Sequence, residues 1–379
     1  FSFPFLTPGS DQYADVLWDW DSWLANVALR QVLADVDEPE RDRVAAYERG
    51  CVLNSLSWAR MDGWVPVFAG RDTDVAAARP EDPYAQNMHK PTLAQHAAFL
   101  VEQGGGDVEW LREGFYPLQC FENAYRNHHR HTETGLYYWQ TDFAIGVDND
   151  PCTYYRPRGS SASIYLNALM HRELLAMEYL ANGLGLDEIA AHYAADAEEL
   201  ARAINEHCWD ERDGFYYSVD INLLPVDHTA WLHQGQPRDW ACLIQRIGVW
   251  SGFLALWSGV APSDRAERVV LENYRDPRTY NAAFGVRTLS RLEKMYNVRA
   301  SGNPSSWLGP VWGVSNYLTF RGLVRCGYAD DAAELAEKTI RLFGRDIERT
   351  GAMHEYYEPE TGEPILNRGF QNWNMLVIN

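Results

Sequence analysis

The sequence predicts an all-α fold, a closed toroid of inner and outer helices whose long, aromatic-rich loops gather at one mouth. Two observations carry this expectation. About eleven helical runs follow one another, mostly in pairs whose short connectors alternate with long ones, with little strand between them. The runs show ordinary Leu/Ala periodicity, whereas the 15 Trp and 21 Tyr concentrate between them. Helices as frame and loops as carriers of rings are what a scaffold with binding loops requires. No fixed-period repeat supports an open array of helical hairpins.

In chain order, the rigid lead-in Phe3-Pro4-Phe5-Leu6-Thr7-Pro8-Gly9 precedes Trp18-Asp19-Trp20-Asp21-Ser22-Trp23. Tryptophan faces and carboxylates are what a sugar ring needs, a platform for its C–H face and acceptors for its hydroxyls. The same six residues also read as a buried aromatic cluster at a helix start, with Asp21 or Ser22 as N-cap. Helical pattern runs over 22–34 and 41–59, the latter with Val44, Tyr47, Cys51 and Leu53 at helical spacing. The Asp/Pro/Gly-rich loop 63–89 is long for a connector, so a lid-like role is expected of it and of 150–161. Pro91 opens a run over 91–103 that Gly104-Gly105-Gly106 ends. Further runs are expected at 108–130, 160–184 and 187–209, then a turn and short strand at 213–218. Helical pieces at 247–257 and 263–274 precede the pair 311–326 and 331–348, and another run begins at Phe370.

With 379 residues the chain can bury a full core as one unit, 1–379. It opens on Phe1 and stops in the apolar stretch 373–378, so native termini beyond these ends are expected. The 53 acidic against 33 basic residues give a formal charge of −20, which argues against nucleic acid or an anionic membrane as partner. No apolar run approaches a membrane span. The six cysteines lack CxxC spacing and read as reduced thiols of a cytoplasmic protein. The histidines of His128-His129-Arg130-His131 adjoin rather than fall at i, i+4, so no metal site is expected, nor any cofactor. The sequence carries no signal for oligomeric state.

Two stretches place acids in loops among aromatics: Gly146-Val147-Asp148-Asn149-Asp150-Pro151, and His354-Glu355-Tyr356-Tyr357. Cleaving a glycosidic bond takes two carboxyl groups, one to protonate the leaving oxygen and one to deprotonate water or attack. Taken alone, the first stretch fits a turn or helix cap equally, and Glu355 a rim charge. Asp142 and Asp150 compete for the acid role.

The lead-in followed by Trp20-Asp21-Ser22-Trp23 resembles the opening signature of trehalases. Gly146 to Pro151 resembles the Gly-Met-Asp-Asn-Ser-Pro stretch of glycoside hydrolase family 63. Asn303-Pro304-Ser305-Ser306-Trp307-Leu308-Gly309-Pro310-Val311-Trp312 is similar to that family's Tyr-Trp-Arg-Gly-Pro-Val-Trp segment, and Glu355 to Gly362 to its Glu-Asn-Tyr-Asn-Pro-Leu-Thr-Gly. The resemblance implies an (α/α)6 barrel and an inverting α-glycosidase, with Asp148 as general acid and Glu355 as general base. It implies a sugar site lined by Trp18, Trp20, Asp21, Trp307, Trp312 and Tyr356, with Gln371 at a spacing that suits a pocket residue. Asp11-Gln12 stand where trehalases have Arg-Phe, Leu308 stands where family 63 often has Arg, and no second β-rich domain is expected within these 379 residues.

Gln86-Asn87-Met88-His89-Lys90-Pro91 and Tyr154-Tyr155-Arg156-Pro157-Arg158-Gly159 resemble parts of the bacterial glucosylglycerate and mannosylglycerate hydrolases. That branch implies a small glucosyl or mannosyl solute as substrate, with glycerate as leaving group. Gln86, His89, Lys90, Tyr155, Arg156 and Arg158 are then candidates to hold it, since a carboxylate wants cationic partners. The alternative is that these cations pair with nearby acids. Trehalase, an oligosaccharide α-glucosidase and a silent sugar-binding toroid are the other functional readings.

Overall fold

The computed structural model describes residues 1–33, 35–74, 78–79, 81–223, 240–299 and 305–379. Asn303 and Pro304, and residues 75–77 and 80 of the 63–89 loop, lie outside the described residues.

Helix α1 (Asp19–Leu33) follows the strand Val16–Trp18, which pairs antiparallel with Phe68–Gly70. It starts earlier than periodicity indicates. The backbone N–H of Asp19 is fixed by the Val67 carbonyl, and the Ser22 hydroxyl donates back to the Asp19 carbonyl. Asp21 and Ser22 therefore lie inside the helix rather than capping it. Helix α2 (Glu38–Ser57) begins before the expected 41, because Asp37 caps the N–H of Glu40 and Pro39 is preset for the first turn. Helix α3 (Leu93–Gln103) stops at the glycine triplet. The run at 108–130 is split into a 3-10 turn, Glu109–Leu111, and α4 (Phe115–His128). Gly114 marks the break, where a Cβ would lie 2.8 Å from Leu56 Cδ1.

Helices α5 (Ile164–Gly183) and α6 (Asp187–His207) form the expected hairpin. A small hairpin follows, Trp209–Asp210 against Phe215–Tyr216. Helix α7 (Leu254–Ser258) continues a 3-10 turn, and α8 (Ser263–Arg268) runs on into a π-helical turn, Val269–Tyr274. Helices α9 (Gly313–Arg325) and α10 (Ala329–Thr350) are the last pair. The α-helix expected from Phe370 is instead a 3-10 helix, Asn372–Ile378. There the Asn374 amide donates to the carbonyls of His354 and Phe370, competing with the α-helical pattern.

The packing order is cyclic. Helix α1 packs on α3, α3 on α5, α5 on α7, α7 on α9, α9 on the terminal 3-10 helix, and that segment on α1. Burial separates these from the even-numbered helices. Helix α5 is buried on nearly every face, whereas its neighbour α6 buries one stripe, Ala190, Tyr193, Ala197, Leu200 and Ile204. One apolar cluster runs from Trp20 to Leu376 through the ring. Among the described residues, no helix is long and apolar enough to cross a membrane.

Candidate active site

Residues just before or at the start of five of the six ring segments, all but α7, face one cavity of about 880 Å³. Trp18 precedes α1, Lys90 precedes α3, Ser161 precedes α5, Trp312 precedes α9, and Trp373 opens the terminal 3-10 helix. The chain thus collects side chains from residues hundreds of positions apart at one end of the helices.

Asp148 reaches the cavity on a sharply turned loop. Gly146 has φ +79°, and a Cβ there would lie 2.6 Å from Lys90 Cε and 3.0 Å from the Trp20 ring. Only glycine lets this loop cross Trp20 and Lys90 so closely. Asn149, at φ 52°, accepts a bond from the Trp307 N–H at 2.9 Å and donates its own N–H to Asp142 Oδ2 at 3.1 Å. The three acids of the loop are thereby divided. Asp142 braces Asn149, and Asp150 accepts from the Cys152 N–H and the Thr153 hydroxyl. Asp148 faces the cavity and is hydrogen-bonded by Ser305. Burial raises Asp148 above the ordinary carboxyl range, opposed by Ser305 and Lys90.

Glu355 precedes the strand Tyr356–Tyr357, which pairs with Val311–Trp312 and so sets the acid beside the Trp312 ring. It is 4% exposed. The Tyr13 hydroxyl donates to Oε1 at 3.2 Å and the Asn367 amide donates to Oε2. Burial pushes Glu355 up to about 7, those two bonds oppose the rise, and Asp148 adds to it. Burial and the negative neighbours keep the Tyr13 phenol well above its ordinary range, so it remains a donor. Asp21 also lines the cavity, accepts from the Asn372 amide, and is pushed up to about 8 by burial and by Asp19.

Of the expected residues, Trp18, Trp20, Asp21, Lys90, Asp148, Arg156, Arg158, Trp312 and Glu355 line this cavity. The cations differ in what they are free to do. Lys90 is buried and bonded to Asp19 at 2.7 Å, and Arg156 pairs with Asp220. Arg158 is exposed at the mouth and has no ion pair or hydrogen bond among the described residues.

Six expected residues lie off the cavity wall. Trp307 stacks behind Trp312, centroids 4.2 Å apart, and Tyr356 stacks on Trp312 at 4.7 Å. His89 is buried, with Nδ1 at 2.7 Å from the Lys90 carbonyl and its ring edge-on to Phe121. Gln86 is half-buried outside the wall, and Gln371 is exposed while Phe370 and Trp373 on either side of it face in. Tyr155 is 60% exposed and its neighbour Tyr154 lines the wall instead. Sequence reasoning missed Tyr13, Phe68, Tyr84 and Trp139; Asp142, weighed there as a rival acid, also lines the wall. The aromatic run Tyr137-Tyr138-Trp139 is the one available signal for Trp139. Among the described residues, no group of three or more His, Cys, Asp or Glu side chains is arranged to hold a metal.

The mannosylglycerate hydrolase of Rubrobacter radiotolerans is 28% identical over 202 residues, 52% of this chain but 39% of that protein. The glucosylglycerate hydrolase of Mycolicibacterium hassiacum is 29% identical over 164 residues, 40% of this chain and 33% of that protein. The chain thus matches less than half the length of these relatives. The crystal structure of the GH63 mannosylglycerate hydrolase from Thermus thermophilus in complex with glucose shares the fold, with a TM-score of 0.74 over 99% of this chain and 95% of that one at 20% identity. The model of the "Mannosylglycerate hydrolase MGH1-like glycoside hydrolase domain" matches residues 14–373, and the chain belongs to that family.

Proposed function

We propose that this protein is an inverting α-glycosidase that hydrolyses a glucosyl or mannosyl glycoside of glycerate, with glucosylglycerate as the leading substrate. The observation that carries this is the pair of acids, Asp148 and Glu355, brought from opposite parts of the chain to one aromatic-lined cavity. The sugar lies against Trp20 and Trp312, with Asp21 at its rim. Asp148 protonates the glycosidic oxygen as the bond to the anomeric carbon breaks. Glu355 removes a proton from a water that attacks the opposite face. The two carboxyl groups should then lie roughly 6.5–9.5 Å apart when substrate is bound.

The cyclic packing of the odd-numbered helices supports an (α/α)6 toroid formed by 1–379 as one domain. Tyr84 from the 63–89 loop and Tyr154 and Arg158 from 150–161 line the cavity, which supports a lid role for both loops. Adding glycerate should slow amide exchange in both loops, and unchanged exchange would remove the lid. The free state of all six cysteines fits a reducing compartment such as the cytoplasm. The net charge of −20 fits a small-molecule rather than nucleic-acid partner.

The test is hydrolysis of glucosylglycerate, mannosylglycerate and trehalose side by side, with the anomer of the released sugar read by NMR. Glycerate glycosides should be preferred and the anomer inverted. Asp148→Ala should lower kcat by about 10²–10⁴-fold. Preference for trehalose would select the trehalase reading, and no turnover of any glycoside would select a silent sugar-binding protein.

A further inference from the structure

We propose that Asn367 is a positioning residue for Glu355: its side-chain amide grips the carboxylate from outside the cavity and holds it aimed at the substrate space. The inference rests on the reading of Glu355 as general base. The two carboxylate oxygens have different partners. Oε1 accepts from Tyr13, whose ring lines the cavity. Oε2 accepts from Asn367, which is not part of the cavity wall. One oxygen therefore faces the reaction and the other is held from behind. Asn367 touches the base without touching the substrate.

The backbone of Asn367 adds a second observation. Its φ is 45°, in the left-handed region, which glycine occupies without penalty and asparagine tolerates better than most residues. The turn also fixes Glu355 directly, since the Glu355 N–H donates to the Leu366 carbonyl at 2.9 Å. A purely conformational role would be filled better by glycine. What asparagine adds is the amide. The other charged or titratable groups acting on Glu355 are Tyr13, Asp148, Asp21 and Tyr356. Of these, Asp148 and Asp21 are carboxyl groups that disfavour a second negative charge, whereas the Tyr13 hydroxyl favours it by donating to Oε1. A donor on Oε2 counters the two carboxyl groups and favours the ionised carboxylate.

The experiment compares Asn367→Gly with the unmodified protein. Glycine keeps the left-handed turn and deletes only the amide, so thermal stability should hold or rise slightly. The Glu355 titration is read by carboxyl-carbon NMR, with the resonance assigned by its loss in Glu355→Gln. It should move up by about one pH unit or more, the size of a lost bond to a charged group. The acidic limb of kcat/KM on glucosylglycerate should move by the same amount, with KM little changed. Asn367→Asp should move it further, because a carboxylate replaces a donor. An unmoved Glu355 titration in a folded Asn367→Gly protein overturns the proposal. Should Glu355→Gln retain full activity while the titration still shifts in Asn367→Gly, the reading of Glu355 as base fails and the Asn367 contact stands.

Discussion

On the proposed function, Arg158 is the residue on which substrate choice would turn. In a protein of formal charge −20, a carboxylate-bearing substrate is repelled at long range and needs a local cation to hold it. Three cations are candidates. Lys90 and Arg156 are occupied by Asp19 and Asp220, leaving Arg158, among the described residues, with its guanidinium unpaired at the cavity mouth. A charge-assisted hydrogen bond contributes about 1.5–3 kcal/mol, and exposure at the mouth places this one at the low end. Arg158→Ala should therefore lower kcat/KM for glucosylglycerate roughly tenfold and leave the neutral glucosylglycerol nearly unchanged. Equal losses on both substrates would remove Arg158 from carboxylate recognition. Sequence alone leaves all three cations open, because pairing with a nearby acid depends on which loop lies opposite. Asp19 and Asp220 are 71 and 64 positions from their partners, too distant to pair by inspection.

At the scale of elements, the start of α1 is tied to the start of α3 by one buried ion pair. Asp19 Oδ2 accepts from both the backbone N–H and the Nζ of Lys90, at 3.0 and 2.7 Å, and both residues are almost wholly buried. The Lys90 ammonium also lies 5.4 Å from the Trp20 ring centroid. Removing one member of such a pair strands the other charge, which costs about 3–5 kcal/mol. Lys90→Met should lower unfolding free energy by that amount in urea and should reduce turnover of charged and neutral glycosides in equal proportion. A selective loss on the charged substrate would instead give Lys90 a direct role in recognition. Most of the long helices are legible in the sequence to within about a turn, because cap and breaker residues are local, but the split of 108–130, the late start of α7 at Leu254 and the 3-10 form of the last segment are not. Asp148 and Glu355 are legible through their resemblance to family motifs, since taken alone their stretches fit a turn or a rim charge equally well. Trp307 and Trp312 show the limit. Both are tryptophans flanking the same tight turn, and stacking puts one behind the other. No pattern in the chain says which faces the sugar. Gln371, expected from its spacing after Glu355, precedes the 3-10 helix Asn372–Ile378 and is exposed, while Phe370 and Trp373 face the cavity.

At the scale of the whole molecule, buried titratable groups fall into two opposed sets, and their balance sets the pH dependence of stability. In the first set, burial raises carboxyls: Asp21, Asp142 and Glu173 to about 8, and Glu48 and Glu355 to about 7. The folded protein holds these protons when the unfolded chain has lost them, so their contribution is full below the ordinary carboxyl range and is lost as pH rises through 7 to 8. In the second set, burial lowers histidines: His96 to about 3, and His129 and His171 to about 4. Here the unfolded chain binds the extra protons, so stability is gained as pH rises towards the ordinary histidine value of 6.5 and is level above it. The sets offset one another between about 4 and 6.5, and above that only the carboxyl loss remains. The melting temperature should therefore fall between pH 6.5 and 8. Asp142→Asn should flatten that fall, because Asp142 has one buried oxygen without a partner and its ionisation is uncompensated there. A melting temperature that is constant or rising across this window would show that these buried carboxyls are already ionised in the folded protein.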